Sequence, residues 1–224
     1  MNQEEQFVFD YMLGRANLDF ALSDQVSESE RREKLFFAAR CFEKALDSGY
    51  VPAPDEKESE FDCRVTLALL LVEFNYQNNS DISQKGFSSP LKRAATELEK
   101  ALKIDASANG QFLSDRKLAA TILLCLDTLW LAKSSYIYKQ SGAAAALKYL
   151  QDKSKLLEYL DGICLPGICA MLFQYWTEVG NSGIGEHYLR RSANGETFED
   201  VASGTRFYVL SAHYKRTAQQ MLTQ

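Results

Sequence analysis

The stretch AATELEKALKIDAS, residues 94–107, decides how this chain is expected to fold. Its apolar residues recur every three or four positions, which is the period of one face of an α-helix. They are Ala94, Leu98, Ala101 and Leu102. Two of them are alanines, small enough for the backbone of a second helix to approach closely. The stretch therefore predicts an amphipathic helix that packs against another helix.

Helical signals also dominate the rest of the chain. No segment alternates apolar and polar residues in the way that a half-buried strand does. Ser89-Pro90 and the capping boxes Ser27-x-x-Glu30 and Thr197-x-x-Asp200 mark helix starts, and glycines such as Gly142 and Gly180 mark helix ends. We expect helices at 4–22, 29–48, 58–78, 89–104, 115–140, 143–161, 166–179, 182–193 and 197–222, the last of them open to interruption at Ser203-Gly204.

One packing pattern occurs four times in these helices. It consists of a small residue, a larger apolar residue four positions later and another small residue three positions beyond that. Its occurrences are Ala38-Phe42-Ala45, Ala94-Leu98-Ala101, Gly185-Leu189-Ser192 and, with a leucine in the last place, Ala143-Leu147-Leu150. The small residues let two helix backbones approach, and the larger residue fills the groove between them.

The pattern resembles the second helix of the tetratricopeptide repeat, a helix hairpin with a period of 34 residues. LGRAN at 13–17 is similar to the signature of the first helix in that family. The resemblance implies an all-α fold, a right-handed stack of antiparallel helix hairpins in one domain, residues 1–224. The hairpins are expected near 4–48, 58–104, 115–161 and 166–193, with an irregular helical bundle as the alternative.

The last predicted helix, 197–222, is expected to cap this stack. Its apolar side chains form a single stripe at intervals of three and four residues, as a covering helix requires. The stripe consists of Phe207, Leu210, Tyr214, Ala218 and Met221. Three basic residues lie off this stripe, namely Arg206, Lys215 and Arg216. They leave open an alternative, in which the last helix is a detachable arm that docks on a partner.

In the resembling family, the first helices of the hairpins line a concave groove that holds a peptide or a partner helix. Carried over by spacing, the groove residues here are Tyr11, Arg15, Asp19, Glu73, Thr128, Ser135, Tyr136, Gln174, Thr177 and Glu178. This set holds more acid than base, which suits a neutral or mildly basic partner.

The composition indicates a soluble globular protein. The 224 residues carry a net charge of −5, which argues against a nucleic-acid partner. The N-terminus has acids where a signal peptide needs a basic region, and the longest apolar runs are too short to span a membrane. Five cysteines without a CxxC pair favour a reducing compartment, so we expect a cytoplasmic protein.

No residue pattern points to catalysis or to a bound cofactor. Cys164, Cys169, His187 and His213 lack the spacing of a zinc site. GNSGIG at 180–185 lacks the lysine of a phosphate-binding loop. We therefore expect no metal, no cofactor and no enzymatic activity.

Two side-chain expectations follow from the helical pattern alone. Glu97 and Glu99 face different sides of their helix and are expected to be solvated. Most aromatic residues, Phe37, Trp176 and Tyr188 among them, are expected in the core.

The sequence therefore favours a non-enzymatic protein–protein interaction module, such as an adaptor, a scaffold or a dedicated chaperone. The alternative is a regulatory subunit that senses a small ligand or assembles on itself, as a homodimer for example; an enzyme with no recognisable motif comes third. An open apolar groove would favour the peptide partner, and a closed deep pocket would favour the ligand.

Overall fold

The computed structural model describes residues 1–23, 26–53, 56–78, 89–160 and 163–224, and of residues 76–78 the backbone alone. Within these ranges the chain is helical and contains no β-strand, which confirms the all-α fold class. The helices are α1 Gln3–Ala21, α2 Glu28–Asp47, α3 Lys57–Asn78, α4 Ser89–Ser107, α5 Arg116–Ser154, α6 Pro166–Glu178, α7 Ser182–Ala193, α8 Glu199–Ala202 and α9 Arg206–Leu222.

The two helices predicted at 115–140 and 143–161 form one kinked element, α5. Its backbone leaves the helical conformation at Gly142, where φ is +80° and ψ is −179°. Glycine is favoured there because a side chain is strained at such a positive φ. After Ser154 the chain continues as a 3₁₀ turn, Lys155–Leu157, and residue 161, the predicted end, lies outside the described residues.

The last predicted helix is indeed interrupted, and its predicted capping box does not form. The chain forms α8, turns at residues 203–205 and then forms α9. The residue that precedes α8 is Phe198, which has a φ of +54° and no side-chain cap. Asp200 pairs instead with Arg116, with the carboxylate oxygen 2.7 Å from Nε.

The chain divides into two units, and the first comprises α1 to α3 and α4 as far as Ile104. In this unit α2 packs against both α1 and α3. A Cβ atom at Gly14 of α1 would lie 2.8 Å from the ring of Phe42 in α2, so only glycine permits this approach. The repeat residues Ala38, Phe42 and Ala45 are buried, as the packing pattern predicts.

The opening stretch of the sequence forms most of α4, and its packing face is buried. Ala94, Leu98 and Ala101 are all 0% exposed. The predicted inward face of this helix is confirmed. The arrangement of the hairpins as a stack and the assignment of the whole chain to one domain stay predictions.

Replacing Ala101 with tryptophan is expected to destabilise the protein by about 1–3 kcal/mol, because a fully buried methyl group leaves no room for an indole ring. Thr96→Trp is the matched control, since Thr96 is exposed on the same helix. Urea unfolding of both variants checks the prediction. A control that is destabilised as much as Ala101→Trp would contradict it.

The second unit runs from Asp105 to Gln224 and holds α5 to α9. In it α6 packs against α5, α7 and α9, and α9 also packs against α5 and α7. Leu126, Trp130 and Tyr175 are among its fully buried side chains. One face of α6 therefore packs against both α7 and α9, which also contact each other.

One stretch among the described residues, Arg116–Leu157, is long and apolar enough to cross a membrane by length and composition, with a mean hydropathy of 1.3 over its most apolar window. Within this protein, however, 67% of that window is buried. A core helix of a soluble protein passes the same test, so the finding is weak evidence for a membrane span.

Candidate partner-binding pocket

An open pocket of about 360 Å³ lies among α6, α7 and α9. Most of its walls are apolar, and three residues predicted for the groove line it from α6. Those three are Gln174, Thr177 and Glu178. The rest of the lining is Ala170, Met171, Phe173, Leu189, Tyr214, Thr217, Ala218 and Met221. All three predicted residues are exposed, so the pocket is open to solvent on that side.

Hydrogen bonds hold the polar rim of the pocket in place. The Gln174 amide donates to the Glu178 carboxylate over 3.2 Å, and the Tyr138 hydroxyl donates to the same oxygen over 3.2 Å. The hydrogen bond to Glu178 raises the pKa of Tyr138. The Thr177 hydroxyl donates to the Phe173 carbonyl over 2.9 Å. The polar side chains of the rim are thus hydrogen-bonded to one another and to the helix backbone.

The predicted capping helix, α9, supplies the opposite wall of this pocket. Of its apolar stripe only Ala218 is fully buried. Phe207, Leu210 and Tyr214 are half-buried, and Met221 is 45% exposed. The helix thus covers its neighbours incompletely, and the pocket is the part that it leaves open.

The other groove residues predicted in this unit do not line that pocket. Thr128 is buried and its hydroxyl donates to the Leu124 carbonyl, so it offers no surface to a partner. Ser135 is half-buried, and Tyr136 is 44% exposed with the Lys133 ammonium 5.3 Å from its ring.

In the first unit, two of the predicted groove residues are already engaged. The Tyr11 hydroxyl donates to Asp62 of α3 over 2.9 Å, and Arg15 pairs with the same carboxylate at 3.2 Å. Burial and the neighbouring Asp62 raise the pKa of Tyr11. Asp19 is exposed and Glu73 half-buried. Tyr11 and Arg15 therefore tie α1 to α3.

The helix α1 carries an exposed apolar stripe that its sequence pattern did not predict. Val8, Phe9, Met12 and Phe20 are between 46% and 59% exposed. With Ala16, also exposed, they lie on the face opposite the buried Phe7 and Gly14. α1 is thus apolar on two sides, and the amphipathic pattern that marks an ordinary surface helix is absent from it.

Asp127, an acid within the apolar run of α5, fixes the start of α6 and so the pocket wall. Its carboxylate is buried and accepts the N–H of Ile168 over 2.8 Å and that of Gly167 over 3.2 Å. A Cβ at Gly167 would lie 2.6 Å from an Asp127 oxygen, so glycine is required there. Burial raises the pKa of Asp127 to about 7, although both hydrogen bonds oppose that shift.

Asp127 is therefore expected to make stability fall as the pH rises. Its folded pKa lies above the ordinary value of 3.8, so its contribution is fully present below about pH 4 and is lost as the pH passes 7. Each unit of pKa difference corresponds to about 1.4 kcal/mol. Urea unfolding is measured between pH 4.5 and 7.5, which is roughly the titration range. As the pH rises, the free energy of unfolding of the wild type should fall relative to that of Asp127→Asn.

The comparison with Asp127→Asn isolates this one group. The titratable side chains that sense Asp127, namely Tyr214, Cys164 and Cys169, are unchanged in the variant. Parallel pH profiles of the two proteins would contradict a raised pKa for Asp127.

The four residues weighed as a zinc site are only partly brought together. Cys164 and Cys169 touch, with their sulfur atoms 2.7 Å apart. His187 and His213 are exposed, each with its ring against the tyrosine that follows it. In the described part of the chain, no three His, Cys, Asp or Glu side chains are grouped so that they could hold a metal ion.

In comparisons with known proteins, no family model, no curated protein and no solved structure matches the chain.

Proposed function

We propose that the chain is a non-enzymatic interaction module of the tetratricopeptide-like kind, and that it takes an apolar side chain of a partner peptide or helix into the pocket among α6, α7 and α9. The observation that carries the proposal is this open apolar pocket with a hydrogen-bonded polar rim. Binding energy at protein interfaces is concentrated in side chains that fill such pockets.

The size and openness of the pocket favour a peptide over a small ligand. Its volume of about 360 Å³ lies near the lower end of ligand pockets, which span roughly 300–1,000 Å³. Because Gln174, Thr177 and Glu178 are exposed along one side, a chain can pass over them with one side chain inserted. Met171 and Met221 add flexible walls, which adapt to side chains of different shape.

The negative charge of Glu178 on the rim favours a partner with a basic residue beside the inserted side chain. Glu178 accepts two hydrogen bonds from neutral groups, and no lysine or arginine of the described residues pairs with it. A lysine or arginine next to the inserted side chain would supply that missing cation. The partner is thus an amphipathic segment with a basic residue beside its apolar anchor.

Quantitative affinity purification from the native cell tests the proposal with matched variants. Ala170→Phe fills the pocket, and Glu178→Gln removes its charge. Val209→Asp changes an exposed residue of α9 that does not line the pocket. We expect one set of proteins to be lost with Ala170→Phe, reduced with Glu178→Gln and retained with Val209→Asp, while all the variants melt like the wild type. Equal recovery with all three variants would overturn the proposal.

The exposed stripe of α1 supports a second candidate function, self-assembly. If two α1 helices pack antiparallel about Met12, the small Ala16 of one copy lies opposite Val8 of the other and next to its bulky Phe9. Sedimentation velocity would detect the dimer, and Met12→Glu should abolish it, since a charge at its centre is left unpaired. A wild-type protein that stays monomeric at all concentrations would exclude this candidate.

A further inference from the structure

Two of the five cysteines meet at the start of α6 because of how the chain enters that helix. Leu165 is the N-cap, so Cys164 stands one position before the cap and Cys169 is the fourth helical residue. Side chains at these two positions commonly pack against each other and fix the angle at which a chain enters a helix. Here both side chains are thiols, and their Sγ atoms lie 2.7 Å apart.

The two thiols differ in their access to solvent. Cys164 is partly exposed and lines, with Tyr188 and Arg191, an open pocket of about 280 Å³. Its backbone is held in place, since the Glu196 N–H donates to its carbonyl over 2.9 Å. Cys169 also lines this pocket but is buried, at 4% exposed. A small molecule that enters the pocket is therefore expected to meet the more exposed thiol, that of Cys164.

The two thiols also differ in acidity. A hydrogen bond from Cys169 lowers the pKa of Cys164; burial opposes this shift, and the Arg191 guanidinium adds a smaller lowering effect. The same hydrogen bond and burial raise the pKa of Cys169 well above its ordinary value. A thiolate at a helix N-terminus next to a cation is the usual setting of a reactive cysteine.

We propose that Cys164 and Cys169 form a reversible redox site, in which Cys164 attacks a low-molecular-weight disulfide and Cys169 resolves the product. The geometry that carries the proposal is the contact of the two sulfur atoms at the mouth of a pocket. The site is separate from the partner-binding pocket and does not depend on the function proposed for it.

The reaction consists of two thiol–disulfide exchanges. The Cys164 thiolate attacks one sulfur of the small disulfide, forms a mixed disulfide and releases the first small thiolate. Cys169 then loses its proton and attacks the Cys164 sulfur, which closes the Cys164–Cys169 disulfide and releases the second thiolate. The protein loses two electrons and two protons, and the small disulfide becomes two thiols.

The remaining cysteines serve as an internal control. Cys41, Cys63 and Cys125 are buried, each no more than 4% exposed. Burial raises the pKa of all three. Buried thiols of this kind are inert toward exchange.

The test exposes the reduced full-length protein to glutathione buffers of increasing disulfide content, followed by alkylation and peptide mass spectrometry. Both cysteines lie between Lys155 and Arg190, so one tryptic peptide reports on them. We expect this peptide to lose two hydrogen atoms in mass and to regain them with dithiothreitol, while Cys41, Cys63 and Cys125 stay reduced and are alkylated once the protein is unfolded. A peptide that stays reduced in glutathione disulfide alone would overturn the proposal.

Two single variants test which thiol attacks the small disulfide and which one resolves the mixed disulfide. Cys169→Ser should trap the mixed disulfide, so that the peptide gains one glutathione on Cys164. Cys164→Ser should show no adduct, because the remaining thiol is buried. An adduct on Cys169 in the second variant, or none on Cys164 in the first, would overturn the assigned order. Thermal melting of both variants checks that they fold.

Discussion

A chain truncated after Gly204 is expected to aggregate or to unfold at a much lower temperature than the full chain. The truncation removes α9, which packs against α5, α6 and α7. Five apolar side chains at about 1.5–3 kcal/mol each would contribute roughly 7–15 kcal/mol if they were fully buried. Since α9 buries its stripe only in part, we expect a contribution below that range.

Even so, the loss of α9 is a large change. A domain is stable by only about 5–15 kcal/mol in total. The truncation also uncovers Leu189 of α7 and Phe173 of α6, which pack with Ala218 of α9. Differential scanning fluorimetry and light scattering measure the two expected consequences.

Removal of Thr223 and Gln224 alone is the control, since both lie beyond α9 and are exposed. This shorter truncation should leave the melting temperature unchanged. If the chain ending at Gly204 also stays soluble, melts as before and loses only binding, then α9 is a detachable arm that docks through Arg206, Lys215 and Arg216. That outcome would contradict its structural role.

Glu97→Ala is expected to destabilise the protein by about 3–5 kcal/mol, the cost of breaking a buried ion pair. Glu97 is 0% exposed, and its carboxylate pairs with Arg64, with Arg93 at 2.8 Å and with Lys100 at 3.5 Å. Without Glu97, Arg64 keeps its ion pair with Glu60, whose Oε1 lies 2.5 Å from Nη2 of Arg64. Because this ion pair remains, we expect the loss in the free energy of unfolding to fall in the lower half of that range.

Lys100→Ala is the matched control within the same cluster. The Lys100 side chain is 49% exposed, and an exposed ion pair contributes about 0–1 kcal/mol. Urea unfolding of the two variants should therefore give clearly different midpoints. A loss for Glu97→Ala as small as that for Lys100→Ala would contradict a structural role for this cluster.

The sequence predicted the helices well because each is encoded by its own local pattern. The buried face of α4 and the turn at Gly180, where φ is +87°, follow from spacing and from the conformational freedom of glycine. For Glu97 the local pattern is misleading. This residue was expected to be solvated, but its decisive partner, Arg64, lies 33 positions earlier in the chain.

Exposure on the protein surface was equally hard to predict. Phe37 was expected in the core and is 47% exposed. Because α1 is apolar on both sides, its sequence alone does not say which side faces the core. Asp127 carried a usable signal, since a single acid within an apolar run requires hydrogen-bond donors in the fold.

About half of the lining of the candidate partner-binding pocket was predictable from the sequence. Gln174, Thr177 and Glu178 came from the repeat register, and Tyr214, Ala218 and Met221 came from the apolar stripe of the last helix. The sequence placed these sets on different elements and gave them different roles. Only the packing of α9 against α6 brings them to one pocket.

Site-specific photo-cross-linking from the rim of the pocket tests whether another protein binds there. A benzophenone amino acid at Gln174 places the reactive group on the rim of the pocket, and the same amino acid at Val209 places it on an exposed part of α9 outside the lining. In the native cell, we expect a discrete adduct with another protein from position 174, and none from position 209. An absence of adducts from position 174, or the same adducts from both positions, would contradict this expectation.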